Sequence, residues 1–131
     1  MATRGIRGAT TVDANAAGDI RERTLELLEV LVAGNGIRPE DLASATFTVT
    51  EDLDAEFPAL AVRSLPGWQD VPLLCAREIP VAGSLARCVR VLLHWNTDRQ
   101  QREVRHAFLR GARSLRPAWA VRVPGDEEPS V

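Results

Sequence analysis

Arg90 is the residue whose setting calls for a chemical explanation. It stands in Cys88-Val-Arg-Val-Leu-Leu-His-Trp95, a run of β-branched and large apolar residues with no Gly or Pro to interrupt it. Such a run reads as a largely buried strand, closed by the turn-like Asn96-Thr97-Asp98. Alternation puts Val89, Val91, Leu93 and Trp95 on one face and Cys88, Arg90, Leu92 and His94 on the other. A guanidinium in the middle of an apolar strand is costly unless an anion or several acceptors meet it. Two readings are open: an internal ion pair, with Glu78 as the candidate, or an arginine that faces a cleft and takes an anionic ligand. Arg7, bracketed by Gly5 and Gly8, poses the same choice between a solvated edge residue and a ligand-facing one.

The remaining inventory narrows the chemistry. All 16 basic residues are Arg, so Schiff-base chemistry, pyridoxal phosphate attachment and a P-loop, each of which needs a lysine, are excluded. Tyr is absent as well, so no phenol acts as an acid or base. Cys75, Cys88, His94 and His106 include no C-x-x-C or H-x-x-x-H pair, which argues against zinc, and composition alone does not make a Cys-His nucleophile. The acidic loop of Glu51, Asp52, Asp54 and Glu56 lacks the glycine and ligand order of a calcium loop. A net charge of −2 with scattered arginines argues against a nucleic-acid footprint. What is left is Arg7, Arg63, Arg90, Arg116 and one conspicuous carboxylate, Glu78. Arginine is poor at proton transfer, but its planar fork suits carboxylates. The set fits an anionic small molecule held by electrostatics, with neither metal nor cofactor.

The elements that must position these residues follow from periodicity. At 131 residues, 45% hydrophobic and 26% charged, the chain is one domain. Its N-terminus shows no apolar signal-peptide region and no stretch approaches the roughly 18 apolar residues of a membrane span. Two cysteines suggest reduced thiols and a cytoplasmic protein. Residues 3–12 read as a strand, with Gly5 and Gly8 marking a bulge or close backbone approach. Asn15 offers an N-cap for a helix to about Gly34, stopped by Gly34-Asn35-Gly36. Residues 43–50 alternate, with Ala45, Phe47 and Val49 on one side and Ser44, Thr46, Thr48 and Thr50 on the other. Phe57 to Leu65 reads as a short helix with Pro58 at its start, and Val71 to Glu78 as a strand in which Cys75 lies off the Leu74/Ala76 face. A last strand is predicted over Val104 to Leu109. The fold class is α+β: a mixed sheet with helices mainly on one face. Residues 1–117 form the domain, and 118–131 a tail that is flexible or loosely docked.

Several stretches now match a known pattern in order and spacing: Arg4-Gly-Ile-Arg-Gly-Ala-Thr-Thr-Val12, Phe57-Pro-Ala-Leu-Ala-Val-Arg63, Gly67-Trp-Gln-Asp-Val-Pro72, Cys75-Ala-Arg-Glu78, Arg87-Cys-Val-Arg-Val91, Arg105-His-Ala-Phe-Leu109 and Leu115-Arg-Pro117. From about Arg4 to Pro117 the chain resembles the AroH-class chorismate mutases, the small monofunctional α/β type. That resemblance makes ligand contact the favoured reading of Arg90. It implies a homotrimer whose sheets form a pseudo-α/β-barrel core, with active sites between subunits. It implies the cofactor-free rearrangement of chorismate to prephenate in phenylalanine and tyrosine biosynthesis. Arg7, Cys75, Glu78, Arg90 and Phe108 would come from one subunit, Phe57 and Arg63 from its neighbour, with Leu115 and Arg116 near the entrance. Arg90 would donate to the ether oxygen, Glu78 and Cys75 would bind the ring hydroxyl, and Arg7 a carboxylate. One departure stands out, because position 108 is Phe where the family usually carries Tyr. The alternatives weighed are a non-catalytic module that binds an aromatic-pathway metabolite, and a trimeric enzyme of similar architecture acting on imines or enamines, for which Glu78 is the only evident water-activating group.

Overall fold

Five strands, β1 (Ala2–Thr11), β2 (Leu42–Val49), β3 (Leu73–Arg77), β4 (Cys88–Thr97) and β5 (Ala107–Phe108), form one sheet in the order β3-β2-β4-β1-β5. The computed structural model describes residues 1–126, and 127–131, the end of the expected tail, lie outside the described residues. β4 is central and runs antiparallel to both neighbours, while β3 and β5 join the edges in parallel. The sheet is mixed and the fold α+β, as the alternation patterns predict.

Register divides the side chains cleanly between two faces. Ile6 lies opposite Leu93, Gly8 opposite Val91 and Phe47 opposite both Val91 and Cys75. That face is covered by α1 (Ala17–Asn35) and by the 3-10 helix Pro58–Ser64, and it holds the main core. Ala16 supplies no side-chain cap to α1, a loss of about 1 kcal/mol. Ile20, Leu27, Leu28 and Leu31 are each at most 1% exposed, worth about 2 kcal/mol apiece. Packing rather than capping therefore holds this helix. Asn15, expected as the cap, instead accepts the backbone N–H groups of Asp54 and Ala55 at 3.0 Å each and ties down the acidic loop. The C-terminal stop falls where predicted, with Gly36 in the left-handed region at φ 66°.

Gly8 explains how closely α1 approaches. A Cβ there would lie 2.8 Å from Leu31 Cδ1 and 3.1 Å from Leu27 Cδ1, so only hydrogen fits. The opposite face carries Arg7, Ala9, Arg90, Leu92, Thr46, Thr48 and Leu74. At one end it is covered by a small cluster of Ala9, Cys88, Phe108 and Ala112, with Leu85 and Trp119 packed against it. Elsewhere on this face Leu74 is 64% exposed.

Several segments differ from expectation, among them the end of β4, which runs on through Asn96 and Thr97 to pair with Thr3 and Ala2 where a turn was expected. The last strand spans only Ala107–Phe108, because the backbone of Arg105 is taken by the side chain of Asn35, which accepts its N–H and donates to its C=O, both at 2.8 Å. Residues 118–126, expected as part of a flexible or loosely docked tail, follow a defined path. Ala120 bridges to Phe108, the Val121 N–H donates to Phe108 O at 2.9 Å, and Val123 is buried in the main core.

Candidate active site

The outer face of β4 carries the first group of candidate residues, at the border between the covered and the open part of the sheet. Arg87 immediately precedes the strand at φ 47°, a left-handed backbone that a non-glycine residue adopts only when held there. Its N–H donates to Asp52 Oδ2 at 2.9 Å and its Nε to Val12 O at 3.1 Å. That anchor sets the register in which Cys88 turns under the C-terminal cluster and Arg90 emerges beside it. Ala9 and Thr48 are the residues opposite Arg90, which leaves its guanidinium room across the face.

Arg90 meets Glu78 with Nη1 3.5 Å from Oε2, and the two side chains are 25% and 26% exposed. Thr48 Oγ1 donates to the other carboxylate oxygen of Glu78. Of the two readings of Arg90, the ion pair with Glu78 exists, and it is long and open to the face. A pair of this length and exposure contributes about 0–1 kcal/mol, too little to offset a guanidinium in a strand interior. Arg90 Nε is buried and meets no acceptor among the described residues. Stability does not account for this arginine. Its neighbour Cys88 is fully buried, and burial pushes the thiol pKa up, with Arg90 pulling the other way. A thiol held neutral in this way packs as a small hydrophobe.

Arg7 projects from the same face, diagonal to Arg90 across the β1–β4 ladder, and its guanidinium carbon lies 5.9 Å from the centre of the Phe108 ring. Phe108 itself is 2% exposed and supports Arg7 from below. Arg116 stacks on the indole of Trp119 with its guanidinium carbon 3.7 Å from the ring centre, and Leu115 beside it is 37% exposed. Arg7, Glu78, Arg90 and Phe108 thus share one face, with Arg116 and Leu115 in the segment that borders it.

Cys75 does not join them. It pairs with Phe47 on the helix-covered face, while Glu78 follows Ala76 on the other, so the thiol and the carboxylate leave β3 in opposite directions. Cys75 instead lines a cleft of about 400 Å³ with Leu53, Phe57 and Arg77. Phe57 is 68% exposed at the start of the Pro58–Ser64 helix, and Arg63 stands exposed in its last turn. Glu78 lines a separate cleft of about 260 Å³ formed with the loop from Ile79 to Ala86. The predicted residues fall into two sets rather than one pocket.

The sequence comparison identifies what shares this arrangement. Residues 3–119 match the family described as chorismate mutase type I. This chain belongs to that family. Chorismate mutase AroH of Thermus thermophilus is 54% identical over 115 residues, covering 87% of this chain and 93% of its own. Chorismate mutase AroH of Bacillus subtilis strain 168 is 44% identical over 117 residues, covering 89% and 92%. Among solved structures, the chorismate mutase from Clostridium thermocellum superposes with a TM-score of 0.82 at 46% identity, covering 84% of this chain and 97% of that one.

The structure adds residues whose roles sequence reasoning passed over. Thr48 orients Glu78, and its place on the hydroxyl side of β2 was the available signal. His106 accepts the backbone N–H of Arg7 through Nδ1 at 2.9 Å and stacks on Trp119 with ring centres 3.9 Å apart. Burial first, then Arg116 and Arg7, push the His106 pKa below the usual imidazole value. No group of three or more metal-ligating side chains gathers among the described residues.

Proposed function

We propose that this protein carries out the rearrangement of chorismate to prephenate, and that Arg90 supplies its principal charge stabilisation. The reaction breaks a C–O bond and makes a C–C bond within one dianionic molecule, with no nucleophile, no proton transfer and no cofactor. Catalysis then has two sources. Holding the flexible substrate in its compact chair contributes orientation, for which about 7–11 kcal/mol is the upper range in intramolecular models. A preformed donor at the ether oxygen, where negative charge develops, contributes about 3–4 kcal/mol.

The observation that carries this reading is the state of Arg90: half-buried on the open face of the sheet and only loosely paired to Glu78 at 3.5 Å. A donor so placed is fixed before the substrate arrives. Glu78, held by Thr48, takes the ring hydroxyl and keeps the guanidinium aimed. Arg7 takes a carboxylate, with Phe108 beneath it. Arg116 steers the dianion toward the face.

Phe57, Arg63 and Cys75 complete the site from a neighbouring copy in a homotrimer. Support for this comes from their separation from Arg90 within one chain and from the apolar surface left open: Leu74 at 64%, Phe57 at 68%, Ile79 at 80% and Val81 at 62% exposure. The free thiols of Cys75 and Cys88 suit a cytoplasmic setting, and no helix among the described residues is long and apolar enough to cross a membrane.

The test is direct. Purified protein is mixed with chorismate, its loss is followed by ultraviolet absorbance, and the product is identified as prephenate, with Arg90→Ala run alongside. Turnover that vanishes in the variant is the expected result. Binding without turnover would point instead to a metabolite sensor.

A further inference from the structure

His106 occupies a position that the reaction scheme leaves unused. The parallel ladder between β1 and β5 begins at Gly8 and Ala107, and the imidazole adds one rung before it by accepting the Arg7 N–H at 2.9 Å. A backbone N–H only donates, so Nδ1 must carry a lone pair and the ring proton must sit on Nε2. The preceding residue is fixed from the other side, since buried Asn35 at the end of α1 clamps both backbone groups of Arg105. The face of the imidazole meets Trp119 at 3.9 Å, and the same indole touches Phe108 edge-on at 5.8 Å and carries Arg116 at 3.7 Å. One ring thus connects the backbone of Arg7 to the segment that closes over Phe108.

Resting on the proposed rearrangement, we infer that His106 is a positioning residue: as the neutral Nε2–H tautomer it holds the Arg7 backbone and seats Trp119, coupling the C-terminal segment to the arginine that meets a substrate carboxylate. The charged groups acting on it are Arg116 from the C-terminal segment and Arg7 from β1, and the cleft it lines also carries Arg99, Arg102, Glu103 and Arg105 from the segment before it. The groups that shift it are both cations and disfavour the imidazolium, whose Nδ1–H would face the Arg7 N–H donor to donor. Acidification therefore removes the rung and sets three cations against one another.

The experiment compares wild type, His106→Ala and His106→Asn as full chains. Asn keeps a short acceptor near the place of Nδ1 and does not titrate. For His106→Ala, KM for chorismate is expected to rise about tenfold with kcat changed less than about threefold, the scale of one lost positioning hydrogen bond. His106→Asn is expected to restore most of the affinity and to abolish the rise in KM that wild type shows on acidification below neutrality. Nitrogen-15 NMR of the imidazole should show an Nε2–H tautomer at pH 7, and the Arg7 amide should exchange slowly in wild type and faster in His106→Ala. An Nδ1–H tautomer, an unchanged KM in His106→Ala, or no difference between the Asn and Ala variants would overturn the inference. If wild type does not convert chorismate, the functional reading fails by itself, and the tautomer and Arg7 exchange still decide whether His106 holds that backbone.

Discussion

The two sets of site residues are built in different ways. Arg7, Glu78, Arg90 and Phe108 sit on a rigid sheet face, each engaged by a neighbour within the chain: Phe108 under Arg7, Glu78 beside Arg90, Thr48 on Glu78. Phe57 and Arg63 lie on a short 3-10 helix and face outward, with Phe57 68% exposed. The first set is organised before any ligand arrives. The second is a surface that has nothing to act on within its own chain. The difference teaches that one polypeptide carries two separate groups of candidate residues, one engaged within the chain and one left facing outward, and on the proposed trimer these would serve different molecules of substrate.

The sharpest way to break that distinction is to neutralise Arg90 without changing its shape. Replacing Arg90 by citrulline should lower kcat by about a thousandfold, the scale of one lost donor at a developing charge, with size-exclusion behaviour unchanged. A near-normal kcat would remove Arg90 from the organised half. The wall half should behave otherwise. Phe57→Ala combined with Arg63→Ala should raise KM about tenfold or more through lost contact and steering, while the melting temperature moves little because both side chains are exposed. A large loss of stability would mean that they belong to the core of their own chain.

Phe108→Tyr tests the margin of the organised half. Restoring a hydroxyl beneath Arg7 should lower KM by about threefold to tenfold, one hydrogen bond to a charged carboxylate, with kcat nearly unchanged. An unaltered KM would show that the buried ring already does all that position 108 does. The smallest effect concerns stability against pH. Folding lowers the His106 pKa through burial, Arg116 and Arg7, so the unfolded chain takes up the proton first. Its contribution to stability is complete above the ordinary value of 6.5 and is lost as pH falls from there through the folded value. Thermal melts from pH 7 to 5 should show a decline that His106→Asn reduces.

Much of this was legible in the residues. The alternation of β4 predicted both faces, including Arg90 on the side away from the main core, because a strand with one buried face tolerates no other register. Gly8 signalled close approach, and the structure identifies α1 as what approaches. The pairing of Glu78 with Arg90 was one of two readings, and the observed 3.5 Å contact is compatible with both because it is too weak to consume the guanidinium. The partition of the site was less visible. The offset of Cys75 from the Leu74/Ala76 face already placed the thiol opposite Glu78, yet the resemblance put both on one ring hydroxyl. Alternation describes a single chain and does not say which copy a face serves. His106 was weighed only as a zinc or Cys-His candidate, and its contacts with Arg7 and Trp119 escaped notice because they depend on a parallel edge strand only two residues long, where no periodicity exists to be read. The docking of residues 118–126 was hard to read for a similar reason, since it rests on Trp119, Val121 and Val123 scattered among polar and proline residues.

The most direct measurement mixes two crippled proteins. Arg90→Ala lacks only the charge half, and the Phe57→Ala, Arg63→Ala protein lacks only the wall half. Unfolded together and refolded in equal amounts, they should form trimers of which about three-quarters are mixed, so that roughly a quarter of all interfaces pair an intact charge half with an intact wall half. Chorismate turnover should then recover to about that fraction of wild type, far above either parent. Mixed trimers that form, as seen by mass, yet show no more activity than the average of the parents would contradict a site shared between copies.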